Sequence, residues 1–163
     1  MKEILLTQEQ VALVDDEDFE WLNRYSWQAS WSKCTKCFIV TRRNKNNNRI
    51  TNIARFIMNC PEDMMVDHKD HNTLNNQKQN LRICTSQENN RNRRKRSHCT
   101  SKYKGVYWMK HRAKWKARIQ IVDFLDQKFN RTLGSFNTEK EAALAYDKAA
   151  SKEFGEFAYL NFP

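Results

Sequence analysis

The sequence predicts an α+β chain built in two successive blocks. Three observations predict it. The first sixty residues carry strand-length apolar runs broken by turns, residues 64–92 read as strand, polar loop, strand and helix, and residues 103–163 read as paired strands followed by one capped, alanine-rich helix. The expected division is a first domain over 1–90, a basic linker over 91–102 and a second domain over 103–163.

Taken in order, Ile4-Leu5-Leu6 and Val11-Ala12-Leu13-Val14 have strand length, and Asp18–Leu22 suits one helical turn. Phe38-Ile39-Val40 and Ile50-Thr51-Asn52-Ile53 flank the turn-rich Asn44–Asn48, as in a hairpin. Ala54 to Met58 begins a short helix that Pro61 stops. Met64-Met65-Val66 leads into Asp67-His68, Leu81-Arg82-Ile83-Cys84 alternates like a return strand, and Thr85-x-x-Glu88 is a capping box that opens a helix. Further on, Lys104–Met109 and Trp115–Ile121 are strands joined by the polar turn Lys110–Lys114, with a third strand around Arg131–Gly134. Thr138-Glu139-Lys140-Glu141 is a second capping box, opening a helix over Glu139–Phe154. Its alanines allow close approach to a sheet, with Leu144, Tyr146 and Phe154 filling gaps.

With 29 Lys+Arg against 19 Asp+Glu, the formal charge is +10, which attracts polyanions, chiefly nucleic acid or an anionic membrane surface. A membrane role is not expected: no run approaches the roughly 18 apolar residues of a spanning helix, and MKEILLTQEQ has no signal-peptide core. A soluble, intracellular (cytoplasmic) protein follows. Its five cysteines, an odd number, are expected as reduced thiols. Cys34-x-x-Cys37 is half of a zinc motif with no second pair at comparable spacing, so no structural zinc is expected.

The charge changes sharply near residue 91. Twelve Lys or Arg and no acid lie between Arg91 and Arg118. Arg91, Arg93, Arg94, Lys95 and Arg96 share a stretch without apolar residues, suited to contacts along phosphates. In the strand that follows, Trp115, Ala117, Ile119 and Ile121 alternate with Lys116, Arg118 and Gln120, so one face is apolar and the other is cationic or polar.

The chemistry concentrates in Val66-Asp67-His68-Lys69-Asp70-His71-Asn72, Asn80-Leu81-Arg82 and Glu88-Asn89. Phosphodiester hydrolysis needs a base to activate water and a cation to offset charge on the phosphate and the departing oxygen. Asp67 and Asn89 are hard oxygen donors of the kind Mg²⁺ accepts. His68 titrates near neutrality and suits a general base, and the Asn80 amide suits orienting its imidazole. Asp70 reads as a structural loop residue, and His71, His98 and His111 as loop residues rather than ligands.

The segment Asp67–Asn92 resembles the HNH nuclease family, whose core is a ββα-metal hairpin and helix. It looks like the phage and intron-encoded group with the pattern D-H-x-D…N-L-R…N-x-x-N. The resemblance implies that His68 is the general base, Asn80 the central Asn, and Asp67 and Asn89 the ligands of one Mg²⁺ (or Mn²⁺) per active site. It also implies that duplex DNA is met across its minor groove and cut to 5′-phosphate and 3′-hydroxyl ends. Asn89 replaces the last His of the family name. Two departures stand out: His71 occupies a place usually held by Gly, and Ala54-Arg55 stands where His-Arg is usual. Val14-Asp15-Asp16-Glu17-Asp18 also resembles the segment that precedes this motif in such proteins.

The pieces Tyr103-Lys104-Gly105-Val106, Leu133-Gly134-Ser135-Phe136, Glu141–Ala150 and Leu160-Asn161-Phe162-Pro163 resemble the plant ethylene-response-factor (Apetala-two) DNA-binding domain. That family lays a three-stranded sheet in the major groove with a helix packed behind. The resemblance adds Lys104, Tyr107 and Arg131 to the outward Lys116, Arg118 and Gln120 as candidate DNA contacts. Tyr107 and Met109 stand where Arg is common, so the plant target sequence does not transfer. Together these readings predict a homing-type endonuclease acting on double-stranded DNA as monomer or homodimer. One active site per chain gives a nick from a monomer. The alternative is a DNA-binding regulator on a decayed nuclease core, while an RNA-binding role fits the charge but not the paired motifs.

Overall fold

The structure is a computed structural model that describes residues 1–44, 47–95, 100–123 and 127–163. The chain forms two compact units, Met1–Asn89 and Asn90–Pro163, each mixing helices with antiparallel sheets. The α+β architecture expected from the sequence is met.

In the first unit β1 (Lys2–Leu5) pairs with β2 (Val11–Val14), setting Ile4 opposite Ala12 and both inward. Asp16, Glu17 and Asp18 open α1 (Asp16–Leu22), where carboxylates meet the positive end of the helix dipole. Next come β3 (Gln28–Ser32), β4 (Cys37–Arg43) and β5 (Ile50–Asn52), a sheet in that order. The β4–β5 hairpin is legible in the sequence, whereas β3 is not, because Gln28-Ala29-Ser30-Trp31-Ser32 turns only Ala29 fully inward and shows no apolar alternation. The Asn52 side chain accepts from Ala54 N and Arg55 N to cap α2 (Ile53–Ile57). The hairpin β6 (Met65–His68) and β7 (Leu81–Cys84) follows, then α3 (Ser86–Asn92), opened by the reciprocal Thr85–Glu88 bonds that its capping box implies. The core gathers Ile4, Val14, Leu22, Trp27, Val40 and Ile53.

In the second unit β8 (Val106–Met109), β9 (Lys114–Val122) and β10 (Lys128–Phe136) form a sheet in the order β10–β9–β8, and α4 (Glu139–Phe154) covers one face. Both halves of the Thr138–Glu141 capping box are present. Ala142, Ala143, Tyr146, Ala150 and Phe154 are buried against the sheet, but Leu144 is 49% exposed and fills no gap, since its position on the helix turns it to solvent. The helix lies close because Gly105 admits it: Gly105 has φ +76°, and a Cβ there would collide with the Tyr146 ring and come within 2.8 Å of the Arg118 carbonyl oxygen. Gly105→Ala should therefore destabilise this unit by about 3 kcal/mol or more, read as a lowered melting temperature. Among the described residues no helix is long and apolar enough to cross a membrane.

Candidate active site and nucleic-acid face

The β6–β7 register sets Met65 opposite Cys84, Asp67 opposite Arg82 and His68 opposite Leu81. Strand alternation puts Met65 and Asp67 on one face of β6 and His68 on the other. Asp67 is only 7% exposed. Arg82 donates to its Oδ2 from Nε at 2.9 Å and from Nη2 at 2.7 Å, so a buried carboxylate meets a nearly buried guanidinium. His68, 9% exposed, places Nε2 3.1 Å from Asn76 Oδ1. Burial pulls the imidazole pKa below its ordinary value, against the opposing pull of the Asn76 bond and the Asp70 and Asp67 charges. On α3, the half-buried Asn89 directs Nδ2 to Met65 Sδ at 3.6 Å, and so lies beside the face of β6 that carries Asp67.

A polar loop over 69–80 joins the two strands, and side-chain amides hold it. Asp70 Oδ1 accepts from Asn72 N at 2.7 Å and Asn80 Nδ2 at 2.9 Å, while Oδ2 accepts from Asn75 Nδ2 at 2.9 Å. Burial works to raise the Asp70 pKa, but these bonds outweigh it and hold the carboxyl below its usual value. Asp70 thus bonds the loop amides, as its place in the loop suggests. Asn80 differs from expectation. Its Oδ1 accepts from Asp70 N at 3.1 Å and its Nδ2 also donates to Asn75 O at 2.8 Å, so its amide ties the loop closed and Asn76, not Asn80, meets the imidazole. Nothing in the spacing distinguishes Asn76 from its neighbours in an asparagine-rich turn. Arg82 is likewise visible in the sequence only as part of a motif. Arg55, at one of the two departures from the family pattern, donates to Met64 O at 2.5 Å and Pro61 O at 2.7 Å, fixing the turn that leads into β6.

The other departure has a backbone explanation. His71 has φ +61°, the left-handed region that glycine enters without cost, and its N–H donates to His68 O at 3.0 Å. His71→Gly should raise the melting temperature, with a gain on the order of 1 kcal/mol from the relieved conformation, less the entropy glycine adds to the unfolded chain.

Whether these residues suit a metal follows from their chemistry. Among the described residues no three His, Cys, Asp or Glu gather as a metal-binding group. Cys34 is exposed and Cys37 half-buried, at the turn between β3 and β4. One carboxylate and one amide oxygen are too few for a closed zinc site. They fit a hard cation such as Mg²⁺, which is held by one or two carboxylates and takes its other ligands from water and phosphate.

The second unit carries a separate polar face. Cross-strand partners share a face, and the register joins Tyr107 to Lys116, Thr132 to Arg118 and Asn130 to Gln120, all on the side away from α4. Arg118 and Gln120 are exposed, and the Arg118 guanidinium lies 4.9 Å from the Tyr107 ring centre. Two expected members point elsewhere. Arg131 pairs with the buried Ile119, so it faces the helix side, where its Nη2 meets Glu153 Oε1 at 2.6 Å. Lys104 is drawn inward, its ammonium donating to Arg91 O at 2.6 Å and Arg93 O at 2.7 Å. Burial, with the Arg93 charge beside it, lowers its pKa to about 8. The described part of the basic run is also packed: the Arg91 guanidinium lies 4.9 Å from the Phe154 ring centre, and Asn92 is buried. Arg93 and Arg94 are exposed and Lys95 is half-buried, while Arg96 lies outside the described residues.

Comparison with known proteins gives two kinds of match. Residues 59–91 match the model of the HNH endonuclease family. An uncharacterized HNH endonuclease of Acanthamoeba polyphaga mimivirus is 36% identical over 101 residues, 62% of this chain and 49% of that protein. The C-terminal region matches plant DNA-binding proteins. An ethylene-responsive transcription factor of Arabidopsis thaliana is 45% identical over 62 residues, 38% of this chain and 14% of the relative. A dehydration-responsive element-binding protein of the same plant is 45% identical over 65 residues, 40% of this chain and 29% of the relative. The chain thus spans about half of the viral relative and smaller shares of the plant ones. Both resemblances expected from the motifs are met.

Proposed function

We propose, starting from a segment of HNH endonuclease type and a C-terminal region related to plant DNA-binding proteins, that this chain is a divalent-metal-dependent endonuclease of duplex DNA. The observation that carries this reading is that Asp67 and His68, successive residues at the buried end of β6, and Asn89 of α3, whose amide reaches Met65 on the Asp67 face, all lie inside the segment that matches the family. His68 takes the proton from the attacking water, aided by a pKa that burial keeps low enough for a neutral ring at physiological pH. Asn80 and Asp70 hold the loop that frames the base. Asp67 and Asn89 are the residues that would hold the cation; HNH nucleases generally use divalent ions. Such an ion, when bound, offsets charge on the scissile phosphate and the departing 3′ oxygen. The products are 5′-phosphate and 3′-hydroxyl ends, and one site per chain gives a nick from a monomer and paired cuts from a homodimer.

The second unit acts as the reader. Lys116, Arg118, Gln120 and Tyr107 present a polar, cationic sheet face to the major groove, and Arg93, Arg94 and Lys95 add phosphate contacts. Site recognition of the homing type, in a mobile or viral element, is the setting that suits such a pairing, and the viral relative is in keeping with it. The alternative, a regulator on a decayed nuclease core, finds its support in the Arg82–Asp67 pair, because a carboxylate already balanced by a guanidinium has less need of a cation.

Supercoiled plasmid carrying a library of candidate sites, incubated with Mg²⁺, with Mn²⁺ and with EDTA, separates the two. Open circles or linear product only with metal is the expected result. Tight duplex binding without cleavage under any of these conditions would establish the regulator instead.

A further inference from the structure

Asn76 is 1% exposed and among the largest fully buried side chains, yet it is polar and sits in a loop. A buried amide must satisfy both ends, and each end here is determined. Its Nδ2 donates to Leu74 O at 3.1 Å and Thr73 O at 3.4 Å. Only a donor can face two carbonyl oxygens, so the amide nitrogen is on that side and Oδ1 is left to face His68 Nε2. An amide oxygen only accepts, so Nε2 must carry the proton. The lone pair of the neutral ring then lies on Nδ1.

Asn76 is itself held from outside the β6–β7 hairpin. Its backbone N donates to Leu13 O at 2.8 Å, and Leu13 N donates to Leu74 O at 2.8 Å, so β2 runs as a short parallel bridge along the loop. Just beyond β2, Asp15 accepts from Gln77 Nε2 at 3.1 Å and Lys78 N at 2.8 Å. The loop is stitched to the N-terminal hairpin on both sides of the residue that touches the imidazole. This support lies outside residues 59–91, the segment that matches the nuclease family.

We propose that Asn76 is the positioning residue of His68: it fixes the Nε2–H tautomer and leaves Nδ1 as the atom that takes the proton from water. The catalytic half of this statement rests on the endonuclease reading; the tautomer does not. Fixing the tautomer matters because the wrong one presents an N–H where the water must give up a proton. Loss of such a contact in other sites typically costs about 10–100-fold.

The test is a long-range proton–nitrogen correlation spectrum of the imidazole rings of the full chain, without DNA, at about pH 8, where an imidazole of ordinary pKa near 6.5 is neutral. The His68 signals are identified by their loss in His68→Gln. Wild type should show one protonated Nε2 and one unprotonated Nδ1. Asn76→Ala should give averaged tautomers, and Asn76→Asp, which keeps an acceptor at the same place, should retain Nε2–H. In turnover, Asn76→Ala should lower kcat about 10–100-fold with little change in KM, and Asp should recover part of the loss. A proton on Nδ1 in the wild type overturns the proposal, as does an unchanged tautomer in a folded Asn76→Ala. If Asn76→Ala does not fold, Asn76→Asp decides: a proton on Nδ1 there overturns it equally. A wild type that has the stated tautomer but never cleaves DNA would sink the endonuclease reading and leave the tautomer assignment standing.

Discussion

His68→Ala should leave supercoiled plasmid uncut in Mg²⁺ while binding duplex DNA as tightly as the wild type does. A positioned general base contributes about 10²–10⁴-fold to a rate, and its loss is not made good by neighbours. The other titratable side chains nearby are already engaged, Asp67 by Arg82 and Asp70 by three loop donors. Binding should survive because the imidazole is buried and the cationic surfaces lie on other residues. The pH profile should carry the same signature. Burial favours the neutral ring, so the folded-state pKa lies below 6.5 and the base stays available as pH falls past that value. The acid limb of the wild-type rate should therefore sit lower than an ordinary imidazole would place it. Single-turnover cleavage across pH, beside equilibrium binding of the variant, checks both statements. Wild-type cleavage rates in His68→Ala would remove the imidazole from the chemistry altogether.

Replacing Lys116 and Arg118 together by Ala should weaken duplex binding and flatten its salt dependence. Each phosphate neutralised contributes about 0.9 to the slope of log K against log salt, so the loss of two such contacts should lower the slope by about 2. If Arg118 reads a base edge instead, the slope falls by about 1 and discrimination at one base pair relaxes, at a cost of roughly 1–3 kcal/mol. The sheet should remain folded, since Arg118 is exposed and Lys116 faces away from α4. The matching control is Arg131→Ala, which removes a cation of the neighbouring strand on the helix side and should leave the slope unchanged. Binding titrations over a series of salt concentrations distinguish these variants. An unchanged slope in the double variant would move the DNA contact to another surface.

Patterns that depend on one strand or one helix are legible in the amino-acid sequence. The α4 bounds, both capping boxes, the β6–β7 pair and the outward Lys116, Arg118 and Gln120 all follow from local alternation or local hydrogen bonding. What is not legible depends on contacts between segments far apart in the chain. Charge alone turns Lys104 outward, but the carbonyls of Arg91 and Arg93 supply acceptors that draw it inward. Charge also favours an outward Arg131, and the register opposite Ile119 turns it toward Glu153 instead. Asn76 leaves no mark in the sequence because the backbone bond that holds it beside His68 comes from Leu13, more than sixty residues earlier. His71 is the instructive middle case: the family pattern marks its position as unusual, and its φ of +61° gives the reason glycine is usual there.

The Arg82–Asp67 pair has a thermodynamic consequence. In small metalloproteins whose ligands repel or lie open without the ion, binding and folding are one process, and chelators unfold the protein. Here the carboxylate that would bind the ion is charge-balanced within the hairpin, and the loop around it is closed by amides. On the proposed reading, a cation would therefore meet a carboxylate whose charge is already balanced by Arg82, so chelation should not by itself unfold the hairpin. If the proposed cation site holds, cation and DNA phosphate would then load a hairpin that is already held, rather than one they must first fold.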